Sequence, residues 1–329
     1  VPACAGPRLR QDGPGRATVT VESVAATRYR SPSGSRAAIL LSVTAPDAHP
    51  HATGEDGYLT IHGLRHHYVR WGDVANDPVV FLHGLMNNGR YWEHIAARFT
   101  DRYSVFAPDL RGHGESEHAP GGYLVWAFAM DLRGFVEEMD FESFDLVAHS
   151  IGSRVAMSYA RDHSHRLNHL VLADMGPQMA DQGARGIRRS TGDAQKTPGF
   201  TTEEEALAHF ATLYPGKPRE FLERQVGASL TLDEATGNLV FRFDPSIHQA
   251  TGRGAIAEIP YLWESLEHIK CPTLVIRAEK SKVLSREIAE QMVQRLPNGR
   301  FIEIPEAGHQ VPLHQPDAFS TAVREFLAE

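Results

Sequence analysis

The stretch F-D-L-V-A-H-S-I-G-S-R-V-A at residues 144–156 limits the possible folds more than any other. Phe144–Ala148 is apolar without alternation and too short for a helix, which is the pattern of a strand buried on both faces. Ser150 and Gly152 follow, and then Val155, Ala156, Tyr159 and Ala160 recur at helical spacing. A serine between a parallel strand and a helix sits on a tight turn that lifts its hydroxyl clear of the backbone, and the helix N-terminus behind it favours developing negative charge. Gly152 lets helix and strand approach closely. Ala148 stands where the first glycine of G-x-S-x-G belongs, a departure of one methyl group. Taken alone, a helix capped by a serine is the simpler reading.

The flanking chain changes that balance. Tyr58–Ile61 and His66–Trp71 read as strands joined by a turn at His62-Gly63. Pro78–Leu82 is a buried strand ending in His83-Gly84-Leu85, and Arg90–Phe99 carries helical spacing. Tyr103–Ala107 is a buried strand before Pro108-Asp109 and the run Arg111–Ser116. Leu124–Met139 is an amphipathic helix, and Leu167–Ala173 is a strand before Asp174-Met175-Gly176-Pro177. Strands and helices in alternation with short loops imply crossover connections and a parallel sheet. Ligands of such sheets bind at the carboxyl ends of the strands, where His83–Leu85, Asp109, Ser150 and Asp174 all fall.

Residues 178–265 break the alternation. Asp181–Thr197 is polar, helices are expected at Glu203–Leu213, Pro218–Ser229 and around Tyr261–His268, and Asn238–Phe243 is hairpin-like. An insertion of this size after a strand end is read as a helical lid. The sheet resumes with Pro272–Ile276, helix Ser285–Arg295, strand Arg300–Ile304 and a final helix Pro316–Leu327. The expected organisation is thus a weakly ordered extension over 1–56, a core over 57–177 and 266–329, and the lid over 178–265. The Pro-, Gly-, Ser- and Arg-rich residues 1–56 bury too little apolar surface to offset their ordering entropy, although a strand within 16–29 is conceivable from its V-T-V pattern.

Across 329 residues the composition is that of a globular protein, with 42% hydrophobic and 22% charged residues. The formal net charge of −8 without a basic stripe argues against nucleic acid or an anionic membrane as partner. No apolar run reaches the length of a membrane span. Residues 37–45 start too late and carry Ser42 and Thr44, so they are not read as a signal peptide, and the cytoplasm is the expected location, with secretion through the extension left open. The cysteines, Cys4 and Cys271, are too far apart to suggest a structural disulfide. The histidine pairs 49/51, 66/67 and 163/165 lack the companions of a zinc site, and the glycines at 112 and 114 lack phosphate-loop spacing, so neither metal nor cofactor is expected.

His83-Gly84, the P-D-L-R-G-H-G-E-S run at 108–116, A-H-S-I-G at 148–152 and E-A-G-H at 306–309 together resemble the α/β-hydrolase superfamily over residues 58–328. That resemblance implies a mostly parallel eight-stranded sheet with helices on both faces and a lid. The insertion and the D-M-G-P run look like the branch of small carboxylic-ester, lactone and carbon–carbon bond hydrolases. A serine hydroxyl needs a base, and His309 follows a strand on the same sheet edge as Ser150. The imidazole needs a carboxylate. The superfamily's commonest acid position falls on Ser281 or Lys282, neither of which can serve, so Asp174, where some members keep the acid, is chosen, with Glu279 as the alternative. By the same resemblance the backbone N–H groups of Leu85 and Ile151 form the oxyanion hole. Met86, Met175 and Trp263 are expected to line the substrate pocket, and Asp109 is expected to brace the oxyanion loop or the G-H-G turn.

These residues lead to a cofactor-free serine hydrolase acting on a small-to-medium apolar acyl substrate, an ester, lactone or related bond, through an acyl-enzyme. The aromatic residues Phe210, Tyr214, Phe241 and Phe243 fit either such a substrate or the lid's own packing. Carbon–carbon bond hydrolysis, thioester cleavage and acyl transfer use the same triad, and a non-catalytic receptor is the alternative of another class. The oligomeric state is not legible.

Overall fold

Strands buried on both faces must be covered by helices on both sides, and the molecule is built that way. The computed structural model describes residues 54–196, 199–214 and 216–329, and also the short antiparallel pair Ala26–Arg28 and Ala38–Leu40. Eight strands form one sheet: β1 (Glu55–Ile61), β2 (Leu64–Trp71), β3 (Asp77–Leu82), β4 (Tyr103–Pro108), β5 (Phe144–His149), β6 (Leu167–Ala173), β7 (Thr273–Ala278) and β8 (Gly299–Ile304), in the order β8-β7-β6-β5-β3-β4-β2-β1. From β3 to β8 the pairing is parallel, and β2 lies antiparallel to both β1 and β4.

Helices α1 (Val125–Glu138), α2 (Ile151–His163), α3 (Asp181–Lys196), α4 (Glu203–Leu213), α5 (Arg219–Ser229), α6 (Ile259–His268), α7 (Arg286–Arg295) and α8 (Pro316–Leu327) complete the chain with several shorter turns. The period-2 alternation of β3 sends Val80 and Leu82 to one face and Val79 and Phe81 to the other. The first face packs against α1, α2 and residues such as Leu262, Leu266 and Met292. The second meets Trp92, Ile95, Phe99, Phe319 and Val323. Each fully buried Leu or Phe here contributes about 1.5–3 kcal/mol.

Strand order aligns the functional loops. Leu82 pairs with Ala148, His149 with Ala173, and Ala173 with Ile276. The residues just beyond these pairs therefore emerge along one edge, which brings Gly84, Ser150 and Asp174 together.

Some expected boundaries shift. Strand β1 begins at Glu55, not Tyr58, because Glu55 and Asp56 pair with Arg70 and Val69. The rest of the expected weakly ordered extension, 1–53, lies outside the described residues apart from the short pair. In place of one helix over 90–99, a tight 3-10 turn at Gly89–Trp92 precedes a single α-turn at Glu93–Ala96. The Asn88 side chain caps this turn on the Arg90 N–H at 3.0 Å, and a Cβ on Gly89 would stand 2.3 Å from the Ala107 carbonyl. The polar run after Asp181 forms helix α3, which the sequence reading leaves without structure. Its buried positions include Gly183 and Thr191, and a Cβ at Gly183 would meet the Lys282 carbonyl at 2.3 Å. Such a backbone-to-backbone contact leaves no apolar stripe to read.

The segment between β6 and β7 folds as α3, α4, α5, a hairpin of Leu230–Leu232 with Leu239–Phe241, and α6. Its aromatic rings pack on each other, with Phe241 stacked on Phe243 at 5.1 Å and Phe210 at 6.4 Å from Phe241. The glycine-rich run Arg111–Gly114 fastens it to the core. The Gly114 N–H donates to Arg242 O at 2.7 Å, and the Asp244 N–H to Gly112 O at 2.8 Å.

Candidate active site

Ser150 is the hinge between β5 and α2. Its φ of 56° and ψ of −127° lie in territory that costs a non-glycine residue about 1–3 kcal/mol. Hydrogen bonds hold it there: the Ser150 N–H donates to Ala173 O at 3.0 Å and the Ser153 N–H to Ser150 O at 2.9 Å. The Ser153 hydroxyl reaches back to Ala148 O at 3.0 Å. A Cβ at Gly152 would lie 2.8 Å from both the Leu82 and His83 carbonyls, so only glycine lets α2 start this close to β3.

The structure brings Ser150, His309 and Asp174 into one hydrogen-bonded chain. Ser150 Oγ donates to His309 Nε2 at 2.9 Å, and the His309 Nδ1–H donates to Asp174 Oδ2 at 2.8 Å. Asp174 is fully buried and adopts a φ of 53° at the end of β6. Its Oδ1 accepts the Ala278 N–H at 3.0 Å, and its Oδ2 also accepts the Ser281 hydroxyl. The carboxylate thus accepts three hydrogen bonds, and the one from Nδ1–H sets the imidazole tautomer with Nε2 free to take a proton. Glu279 stands elsewhere: its Oε2 accepts the Glu306 N–H at 2.8 Å, and no hydrogen bond joins it to His309.

Ser281, one of the two positions where the resemblance places the superfamily's commonest acid, donates its hydroxyl to Asp174 Oδ2 from there. Sequence reasoning passes over it because a hydroxyl cannot replace a carboxylate; the signal that could have found it is that β6 and β7 are parallel neighbours, so the loops that follow them face each other.

His149 is a second residue that the sequence reading does not use. It is fully buried, its Nε2–H donates to His309 O at 2.8 Å, and its ring stacks on Tyr91 at 5.5 Å. Burial, reinforced by the nearby His309, pushes its pKa down to about 3, so it stays neutral. The loop that carries His309 is tied at further points: Tyr91 Oη donates to Gln310 at 2.9 Å, His94 Nε2–H to Pro312 O at 3.1 Å and Lys217 Nζ to Leu313 O at 3.0 Å.

Ile151 follows Ser150, and a Cβ on Gly84, the residue before Leu85, would stand 3.0 Å from Ser150 Cβ; the Leu85 and Ile151 N–H groups have no acceptor among the described residues. Of the expected pocket residues, Met175 is buried beside Asp174, while Met86 and Trp263 are half-buried against the first apolar layer. Trp263 is spoken for at its edge, since its Nε1–H donates to Gln178 at 3.3 Å. Asp109 braces both structures that flank it: it accepts the Gly89 N–H at 2.5 Å and the Glu115 N–H at 2.8 Å. It also pairs with His67 at 2.7 Å, and His67 in turn pairs with Asp56 at 2.9 Å. Burial opposes the charged form of His67, but these carboxylates outweigh it and raise its pKa. His113 is buried, with Nδ1–H donating to Arg111 O at 2.9 Å. Among the described residues, no helix is long and apolar enough to cross a membrane.

A family model for the α/β hydrolase fold matches residues 77–315. The chain belongs to the α/β-hydrolase fold family. One relative, the 3-hydroxybutyrate-oligomer hydrolase of Cupriavidus necator, is 30% identical over 79% of this chain and 92% of its own length. Another, the 2-(acetamidomethylene)succinate hydrolase of Mesorhizobium japonicum, is 23% identical over 76% of this chain and 87% of its own. Among solved α/β-hydrolase structures, one from Novosphingobium aromaticivorans superposes with a TM-score of 0.71 at 27% identity, covering 84% of this chain and 99% of that one. This chain thus spans 87–92% of the length of these two relatives with hydrolase names.

Proposed function

We propose that this α/β hydrolase is a serine hydrolase that cleaves a carboxylic ester, lactone or related acyl bond of a small-to-medium substrate, without a cofactor. The observation that carries the reading is the unbroken chain Ser150 Oγ, His309 Nε2, His309 Nδ1, Asp174 Oδ2, with both links under 3 Å. His309 removes the Ser150 proton as Oγ attacks the acyl carbonyl, and Asp174 stabilises the resulting imidazolium. The N–H groups of Leu85 and Ile151 receive the oxyanion, which is the largest single electrostatic contribution in acyl transfer of this kind. His309 then protonates the leaving group, water repeats the attack, and Ser150 is regenerated.

The segment over 178–265 serves as the lid. The oligomer-hydrolase relative supports ester hydrolysis in this reading, and the apolar side chains of Met86 and Met175 beside the two loops favour an acyl group with a hydrocarbon part.

A fluorophosphonate probe is expected to label Ser150 of the wild-type protein and to leave Ser150→Ala unlabelled, with 4-nitrophenyl ester turnover lost in parallel. Equal turnover by wild type and Ser150→Ala would overturn the reading and leave a ligand-binding protein of the same fold.

A further inference from the structure

Arg154 lies one helical turn beyond Ser150 on α2 and is only 2% exposed. Buried charges in proteins are paired, because an isolated one costs several kcal/mol. Arg154 has no carboxylate partner among the described residues. Among the described residues, its one side-chain hydrogen bond runs from Nε–H to Gly176 O at 3.0 Å. Glu258 is the one acidic group near enough to be felt, and both of its oxygens already accept the N–H groups of Val125 and Trp126 at the start of α1. Burial lowers the guanidinium pKa only to about 10, so Arg154 is charged at neutral pH.

Its two terminal nitrogens are not among the sealed, partnerless atoms of the interior, so each of them keeps some accessible surface. Two features aim this head group toward the site. Side chains on a helix tilt toward its N-terminus, here toward Ser150, which lies about 6 Å away along the axis. The anchoring carbonyl belongs to Gly176, two residues past Asp174 and next to Met175. The Gly176 bond leaves the terminal fork of four N–H donors for a planar oxyanion, which guanidinium binds in bidentate fashion.

We infer that Arg154 forms an anion subsite beside Ser150 and that the substrate carries a carboxylate a few bonds from its scissile acyl group. The inference rests on the proposed hydrolase reading for its reaction and extends it by naming the charge of the substrate. Losing such a charge-assisted pair reduces binding by about 10- to 100-fold.

The test compares matched esters: mono-4-nitrophenyl glutarate against 4-nitrophenyl pentanoate for a carboxylate on the acyl side, and O-acetyl-3-hydroxypropanoate against its methyl ester for one on the alcohol side. In at least one pair the wild type is expected to prefer the carboxylate in kcat/KM, and Arg154→Met to lower that preference by about 10- to 100-fold. Arg154→Lys, which keeps the charge but loses the fork, is expected to retain part of it. A preference ratio unchanged by Arg154→Met in both pairs would overturn the subsite.

A second readout needs no turnover. Glutarate at millimolar concentration is expected to raise the melting temperature of Ser150→Ala but not of the Ser150→Ala, Arg154→Met double variant, and equal shifts would refute the subsite. Absence of fluorophosphonate labelling together with an Arg154-dependent shift would instead overturn the hydrolase reading and leave the anion site standing.

Discussion

At the scale of single residues, the positions of Ser150 and His309 are legible in the sequence because both follow buried strands whose parallel order aligns their ends. Asp174 is chosen through the resemblance, which puts Ser281 or Lys282 at the superfamily's commonest acid position and leaves Glu279 as the alternative. What cannot be read is the company these residues keep. Ser281 and the Ala278 amide meet Asp174 only through the folding of one strand end against the next, and His149 meets His309 O across 160 positions. Asp174→Asn is expected to reduce kcat on a 4-nitrophenyl ester by about 10⁴-fold, with Glu279→Gln close to wild type; the reverse pattern would move the acid to Glu279. Ser281→Ala removes one charge-assisted bond to Asp174 and is expected to cost about 10- to 100-fold in kcat, measured with the same ester.

Among the elements, those with an apolar stripe or a continuous apolar run are the ones the sequence announces. Helices α4 and α8 begin and end at the residues that the periodicity gives, Glu203–Leu213 and Pro316–Leu327. Helix α3 escapes because it approaches its neighbour through Gly183, with backbone on backbone. The 3-10 turn at Gly89–Trp92 escapes for a related reason, since Gly89 presses against Ala107 O. Close approach through glycine also governs the junction of α2 with β3. A methyl at Gly152 has nowhere to go but into two carbonyl oxygens at 2.8 Å. Gly152→Ala is therefore expected to destabilise the fold by about 1–3 kcal/mol, measured as a shift of the urea midpoint at constant m-value, and to reduce labelling of Ser150 as the turn is displaced.

For the whole molecule, buried histidines make stability depend on pH from two sides. Burial lowers His94 to about 4 and both His113 and His149 to about 3. The unfolded chain binds these protons near pH 6.5, so at pH 5 it holds about three more than the native state from these groups alone. Stability therefore rises with pH there and is lost as pH falls below about 6.5, with a slope of about 4 kcal/mol per pH unit. His67 has the opposite sign. Its raised pKa contributes stability that is complete below its unfolded value and is lost as pH climbs through the folded one. Urea denaturation between pH 5 and 8 is expected to show a steep acid limb and a shallow alkaline decline. An acid slope under about 1.4 kcal/mol per pH unit, the worth of one proton, would mean that these rings are not held neutral. Composition foretells the histidine count but not this behaviour, which depends on which rings the sheet encloses.

The loop bearing His309 is tied by its own backbone carbonyls, and one of those ties, from Lys217, comes from the segment inserted between β6 and β7. In the proposed reading, where that segment is the lid, a tilt that admits a molecule at the Lys217 end releases Leu313 O. Admission and the aim of the imidazole therefore draw on the same bond, and a protein caught with its entrance ajar would hold its base less firmly than one that has shut around its guest.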